Sequence, residues 1–312
     1  MVSKTWNMKD GGWSLGWEHH VNIAMCDVDK PRIHYSAYLT SIQTRYMYYK
    51  SKVIKRIGII GMSQVGFIFT RCVQKESHAQ QWVDCYNKIR EFYPTNQIII
   101  IDDYSNPDLI VKKELVNTLV FKSNLQRGAG EILPYYYFYN LKNLIEFDRA
   151  FILHDSMFFN KHINIDPFKD EPVKFLWHFE EPTAHNFLDT KNILLENMKN
   201  TNFHNAINNY TKIDWIGCFG SSCFINIHFL EKLQHKYDFL QLAHIINDRN
   251  KRSCLERIFA LLCIDELKPD NPRSLTLFGN VFNIHYAFYY TYENYKNDRV
   301  FELPIVKVWN SR

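Results

Sequence analysis

Several features that would settle a class quickly are missing from this sequence. Its seven cysteines (Cys26, Cys72, Cys85, Cys218, Cys223, Cys254, Cys263) form no C-x-x-C pair and are odd in number. That argues against a disulfide framework and against a paired-cysteine metal site, and buried, reduced thiols are expected. No apolar run reaches the length of a membrane span. The N-terminus shows no basic-then-apolar signal pattern. A soluble, cytoplasmic protein with no transmembrane segment is therefore expected. Charge of one sign is also lacking, since 37 Lys and Arg against 33 Asp and Glu leave +4. So mild an excess suits a protein that meets phosphate somewhere, and it gives no reason to expect a nucleic-acid partner. Internal repeats and low-complexity linkers are absent as well. One domain over 61–312 is expected, preceded by an N-terminal extension over 1–60.

What is present begins with Ile98-Ile99-Ile100-Ile101-Asp102-Asp103-Tyr104-Ser105. Four β-branched residues in a row read as a strand buried on both faces, the pattern of a parallel sheet. Two carboxylates and a turn-forming Tyr-Ser-Asn-Pro follow. Ligands of open α/β sheets bind beyond the carboxyl ends of the strands, which makes Asp102 and Asp103 candidate ligand residues. Capping of the next turn is the competing reading.

Around that strand the pattern alternates. Val65–Val73 reads as a first buried strand. Glu76–Phe92 reads as an amphipathic helix, with Ala79, Trp82, Val83, Tyr86, Ile89 and Phe92 at helical spacing and Pro94 beyond its end. A strand over Val116–Lys122 follows. A helix over Leu133–Phe147 is entered through Arg127-Gly128-Ala129-Gly130. A short strand, Ala150–Leu153, ends in His154-Asp155-Ser156. Such strand–helix–strand alternation predicts a mostly parallel sheet flanked by helices. Beyond it, strand is expected over Val173–Phe179, helices over Thr190–Asn200, Phe229–Tyr237 and Ser253–Leu267, and strand and loop from Ser274 onward. The extension is basic and aromatic over Tyr35–Lys55. A solvated helix, an arm pairing two copies as a homodimer, and a membrane-surface contact all fit it. The adjacent His19 and His20 seldom face one site on regular structure and are set aside as ligands.

The order of parts, with Asp102-Asp103-x-Ser105, Arg127-Gly128-x-Gly130 and a polar motif at His154-Asp155-Ser156, resembles the GT-A fold (Rossmann-like) of nucleotide-sugar glycosyltransferases. The large inverting group related to family 2 is the nearest fit. The resemblance is good over about 65–160 and thinner beyond. The richness in Asn, Ile and Lys, residues of AT-rich codons, suggests an AT-rich source such as a large DNA virus, whose host cytoplasm would then be the location.

The resemblance implies a nucleotide-sugar donor, with a UDP-sugar favoured, and a glycan, protein or small-molecule hydroxyl as acceptor. Thr70, Arg71, Asp102, Asp103, Arg127, His154 and Asp155 would bind the nucleotide. A divalent metal, Mn or Mg, would be held by Asp155 and His285. The Asp-x-Asp motif such a metal uses is degenerate, because His154 and Ser156 replace its outer acids and such ions prefer carboxylate oxygens. Either a metal held mainly by the diphosphate or neutralisation by Arg and Lys would meet that departure. The basic stretch Arg249, Lys251, Arg252 is a candidate for the latter if it folds over the site.

An inverting transferase needs one general base on the acceptor side. Glu256 is the candidate, being set apart from the Leu255/Phe259 stripe of its helix. Asp265, Glu266 and the pair Glu180-Glu181 are alternatives. Trp177, Trp215 and Tyr286 could stack on sugar rings. Two other functions stay open, a nucleotidyltransferase of the same fold and a non-catalytic sugar- or protein-binding relative. The first usually has a Gly-rich loop after its first strand, and Thr70-Arg71-Cys72-Val73-Gln74-Lys75 has no Gly.

Overall fold

The structure is a computed structural model and describes residues 65–180, 192, 194–208, 215–283, 289–298 and 302–309. The N-terminal extension and the homodimer arm expected of it lie outside those residues. So do His285, Tyr286, Glu181 and positions 190, 191 and 193 of the helix expected over Thr190–Asn200; of the rest of that span, 192 and 194–197 are helical.

Strand β1 (Val65–Arg71) is followed by a short helix α1 (Glu76–Ala79) and by α2 (Gln81–Phe92). The helix expected over Glu76–Phe92 is thus two pieces that meet at Gln80. The second buries Trp82, Val83, Cys85, Tyr86 and Ile89, the stripe that its spacing requires. Then come β2 (Ile98–Asp102), β3 (Thr118–Lys122), α3 (Leu133–Leu141), β4 (Arg149–His154) and β5 (Met157–Phe159). The expected Val173–Phe179 strand divides into β6 (Val173–Phe175) and β7 (His178–Phe179). Helix α4 (Thr201–Asn208), β8 (Gly217–Cys218), β9 (Cys223–Asn226) and α5 (Ile227–Tyr237) follow. The chain closes with α6 (Arg249–Leu267), α7 (Tyr292–Asn297) and β10 (Ile305–Lys307). Helix α7 falls where only strand and loop were expected. Its start is fixed by a capping box between Thr291 and Asn294.

The central sheet has six strands in the order β3-β2-β1-β4-β9-β6. Strands β3, β2, β1 and β4 run parallel, and β9 runs antiparallel to both β4 and β6. This is the mostly parallel α/β sheet flanked by helices that the sequence pattern implies. Ile98 to Ile101 are fully buried, which is why β2 needs no polar face. Strand order reverses between β1 and β4. The crevice beyond their carboxyl ends is the switch point at which open α/β sheets take ligands. Register puts Arg71 beside Asp102 and Thr70 beside His154, so the polar strand ends meet at that crevice.

Helix α6 starts four residues earlier than expected, because Asp248 caps it by accepting from the Lys251 amide at 2.9 Å. It is buried nearly all round from Cys254 to Cys263, as a helix in the middle of a core must be. The six described cysteines are free thiols, five of them buried. No described helix is long and apolar enough to cross a membrane.

Replacing Ile100, fully buried in β2, by Ala should lower unfolding stability by ~2–5 kcal/mol through lost transfer energy and a residual cavity. Val120→Ala on the neighbouring strand, at a residue 40% exposed, should cost about 0.5 kcal/mol or less. Chemical denaturation of the two variants checks the contrast, and equal losses would contradict a central β2.

Candidate active site

A cavity of about 1270 Å³ opens at the switch point. Its floor is the carboxyl ends of β1 and β4, and its walls are the Arg127–Glu131 turn, the first turns of α6 and the segment after β10. That is ample for a nucleotide and a second reactant, since small-ligand pockets run to roughly 300–1,000 Å³.

The two aspartates at the end of β2, Asp102 within it and Asp103 just beyond, separate in role. Asp102 is buried and receives Arg71 Nε at 2.8 Å, while its other oxygen accepts the Ser105 amide at 2.9 Å. Arg71 also lies over the Trp82 ring at 4.7 Å. Neither Arg71 nor Asp102 lines the cavity; their charges neutralise each other behind the wall. Asp103 does line it. Its oxygens accept the Gly128 amide at 3.4 Å and the Gly130 amide at 3.2 Å. Burial pushes its carboxyl above the usual range, and those two amides and Arg252 pull against that rise.

The turn so held requires its glycines. Gly128 and Gly130 have φ of +91° and +46°, which L side chains rarely adopt. A Cβ on Gly128 would also strike the Asn247 carbonyl oxygen. Thr70 Oγ1 donates to the Gly130 carbonyl at 3.1 Å. The turn is therefore fixed from two strand ends. Arg127 extends from it to the exposed rim and donates to Gln74 Oε1 at 3.0 Å.

At the end of β4, Asp155 is buried and accepts the Cys72 amide at 3.1 Å, and the His154 ring meets the Gly220 carbonyl at 2.8 Å. Both line the cavity. Among the described residues no three His, Cys, Asp or Glu side chains converge as a metal site.

Glu256 does face the cavity. It lies about two turns into α6 and accepts the Gly220 amide at 2.9 Å through Oε1. Its pKa is pushed up to about 7, chiefly by burial; Lys307 opposes the rise and Glu131 adds to it. The alternatives are elsewhere. Asp265 and Glu266 pair with Lys236 at 3.1 and 3.0 Å, and Glu180 pairs with Arg273 at 2.6 Å; none lines the cavity. The basic stretch is the first turn of α6 rather than a loop, with Arg249 and Arg252 on the wall. Trp177 and Trp215 are buried in the core, so the stacking role does not suit them. The exposed aromatics at the cavity are Phe282, Tyr289 and Trp309.

Sequence reasoning missed Lys307, on β10, and Arg257, whose guanidinium lies 4.9 Å from the Phe179 ring centre. A hint of the first was present: in Ile305-Val306-Lys307-Val308-Trp309 a single charge interrupts an apolar strand.

Fold and cavity define an α/β protein with a mixed-charge cleft at its sheet switch point. No protein-family model and no curated protein matches the chain. Among solved structures it is similar to core-mannan synthase A of Aspergillus fumigatus in its Mn/GDP form. The identity is 10% and the TM-score 0.36, over 64% of this chain and 72% of that one. A likeness of that size transfers no residue role.

Glu256 supplies a test of the site's electrostatics. Its ordinary pKa of 4.5 rises to about 7 in the folded protein. The unfolded state loses its proton first as pH rises, so stability falls across the window from 4.5 to about 7. Glu256→Gln should flatten that part of the melting-temperature profile, read by thermal unfolding in steps across the window. An unchanged slope would mean that the carboxyl is not perturbed.

Proposed function

We propose that the protein is a glycosyltransferase that moves a sugar from a nucleotide-diphosphate sugar to a hydroxyl acceptor, with residues 61–312 as its catalytic domain. The observation that carries this reading is Glu256. It is a carboxylate poised near neutral pH, held by one oxygen to a backbone amide, with its other oxygen free of described partners, in a mixed-charge cavity at strand carboxyl ends. Perturbed carboxylates in such clefts mark functional sites.

In the inverting form of the reaction, the acceptor oxygen forms a bond to the anomeric carbon while the bond from that carbon to the phosphate oxygen breaks. The electron pair leaves on the diphosphate, and the acceptor proton passes to Glu256. A base with a pKa of about 7 suits proton removal at neutral pH. Asp103 and the Arg127–Glu131 turn would receive the nucleoside, for which a UDP-sugar is the first donor to test. Phe282, Tyr289 and Trp309 give the acceptor side flat apolar faces.

A metal is a separate matter. Asp155 is the sole carboxylate of its motif, and one of its oxygens already takes the Cys72 amide. The His154 ring nitrogen Nε2 is engaged with the Gly220 carbonyl. The described donors therefore do not fit an Mn or Mg ion held by protein alone.

Nucleoside diphosphate release from a panel of nucleotide-sugars, with and without Mn²⁺, tests the reading. Wild type should turn over at least one donor, with kcat/KM rising as pH passes about 7. Glu256→Gln should lose ~10²–10⁴-fold in kcat and keep donor affinity within about threefold. Activity surviving in that variant would place the base elsewhere. Pyrophosphate-dependent turnover would instead indicate a nucleotidyltransferase.

A further inference from the structure

Most cations on the cavity wall already have partners. Arg127 donates to Gln74, and Arg252 pairs with Glu131 at 2.9 Å and donates to the Gly128 carbonyl at 3.0 Å. Arg257 donates to the Ser253 carbonyl at 2.6 Å. Lys75 and Arg249 are exposed at the rim. Lys307 is different. It is half-buried, and its ammonium lies over the Phe219 ring, 4.5 Å from the centroid. No described acceptor takes any of its three N–H donors.

Its position is built by the fold. Strand β10 pairs antiparallel with β5, setting Lys307 opposite Met157, and the Val308 amide donates to the Ser156 carbonyl at 2.9 Å. The ammonium is thus delivered to the carboxyl end of β4. A Cβ on Gly220 would collide with Lys307 Nζ and come within 3.3 Å of His154 Cε1. Ammonium and imidazole therefore flank one point on the cavity wall. Glu256 holds the Gly220 amide and feels Lys307 electrostatically, yet no ion pair joins the two. Holding a cation partly out of water with no protein acceptor on its donors is costly, and an anion entering the cavity would lower that cost.

We propose that Lys307 binds the diphosphate of a nucleoside diphosphate in this cavity, donating to the phosphate oxygens that carry the leaving charge. The proposal rests on the nucleotide-sugar reading above. It assigns to a side chain of the last strand the neutralisation that the His154-Asp155-Ser156 motif, with one carboxylate, is poorly equipped to arrange through a metal. Charge-assisted hydrogen bonds of this kind are short and strong, and they are worth most where water is excluded.

The test compares wild type, Lys307→Met and Lys307→Arg by calorimetry and thermal shift. The ligands are UDP, GDP, uridine and guanosine, each in EDTA and in Mn²⁺. Met keeps the apolar stem over Phe219 and removes the charge. At least one nucleoside diphosphate should bind wild type in EDTA. Its Kd should rise roughly 10- to 100-fold in Lys307→Met. Nucleoside affinity should stay within about twofold, and Lys307→Arg should recover part of the loss. Equal diphosphate affinity in wild type and Lys307→Met would overturn the assignment and leave the nucleotide-sugar reading standing. So would diphosphate binding that requires Mn²⁺ in every form, or a parallel loss of nucleoside and diphosphate, which marks a structural lysine. Should Lys307→Met fail to fold, the Lys307→Arg pair of affinities decides: unchanged nucleoside binding with altered diphosphate binding supports the assignment, and no change in either overturns it. Absence of any diphosphate or nucleotide-sugar binding to wild type would overturn both.

Discussion

The carboxylate of Asp103 ties the site together. It is buried at the end of the most apolar strand of the sheet and accepts two amides from a turn that only glycine can make comfortably. Without an acceptor there, the Gly128 and Gly130 amides would be left unmet next to the cavity, at a cost of roughly 1–3 kcal/mol each. The turn in turn offers the Gly128 carbonyl to Arg252 and carries Glu131, which pairs with the same guanidinium. Arg252 stands one turn before Glu256 on α6. The register of β2 in the sheet is thereby linked to the placement of the candidate base, through side chains far apart in the sequence.

Charges at this sheet edge fall into two groups. Arg71 and Asp102 form a buried ion pair supported by the Ser105 amide and the Trp82 ring. Removing one member of such a pair costs about 3–5 kcal/mol because the other is stranded, so the pair holds the strand ends in place rather than meeting a ligand. Glu256 and Lys307 form the second group. Each is shifted toward its neutral form by burial, and each has donors or acceptors that the described protein leaves open. Two neighbouring acids at the end of β2 thus differ from each other by what already surrounds them, and the same distinction separates Arg71 from Lys307.

How much of this was legible in the sequence follows from the range of the interactions. Four isoleucines in a row and the stripe of α2 announce themselves locally, because burial on one or both faces imposes its period on adjacent residues. The turn at Gly128 and Gly130 was legible too, because two glycines spaced by one residue mark backbone that other residues rarely adopt. Glu256 could be singled out because it departs from the apolar stripe of its own helix. Lys307 could not be placed, because its site depends on β10 pairing with β5 across most of the domain. The split between Asp102 and Asp103 was equally hidden. Both residues have the same chemistry, and only the register of β1 against β2 decides which one faces Arg71. Helix α7 was missed because its aromatic residues read as strand, while the capping box that starts it uses Asn294 where Glu or Gln is the usual signal.

The juxtaposition of Glu256 and Lys307 has a consequence for the order of events. As the protein stands, Lys307 holds the Glu256 carboxyl lower than burial alone would place it, and Glu256 holds the Lys307 ammonium higher. A diphosphate that pairs with Lys307 screens that cation from Glu256 and adds negative charge nearby. Both effects raise the proton affinity of the carboxylate. The base would then be strongest when the donor is in place and weaker when the cavity is open to water. Under the proposed reaction, a proton taken from the acceptor would be held most firmly while the leaving group carries its charge, and would be released when the diphosphate departs. Such coupling needs only two groups of opposite sign on either side of Gly220, kept apart by the backbone that each of them borders.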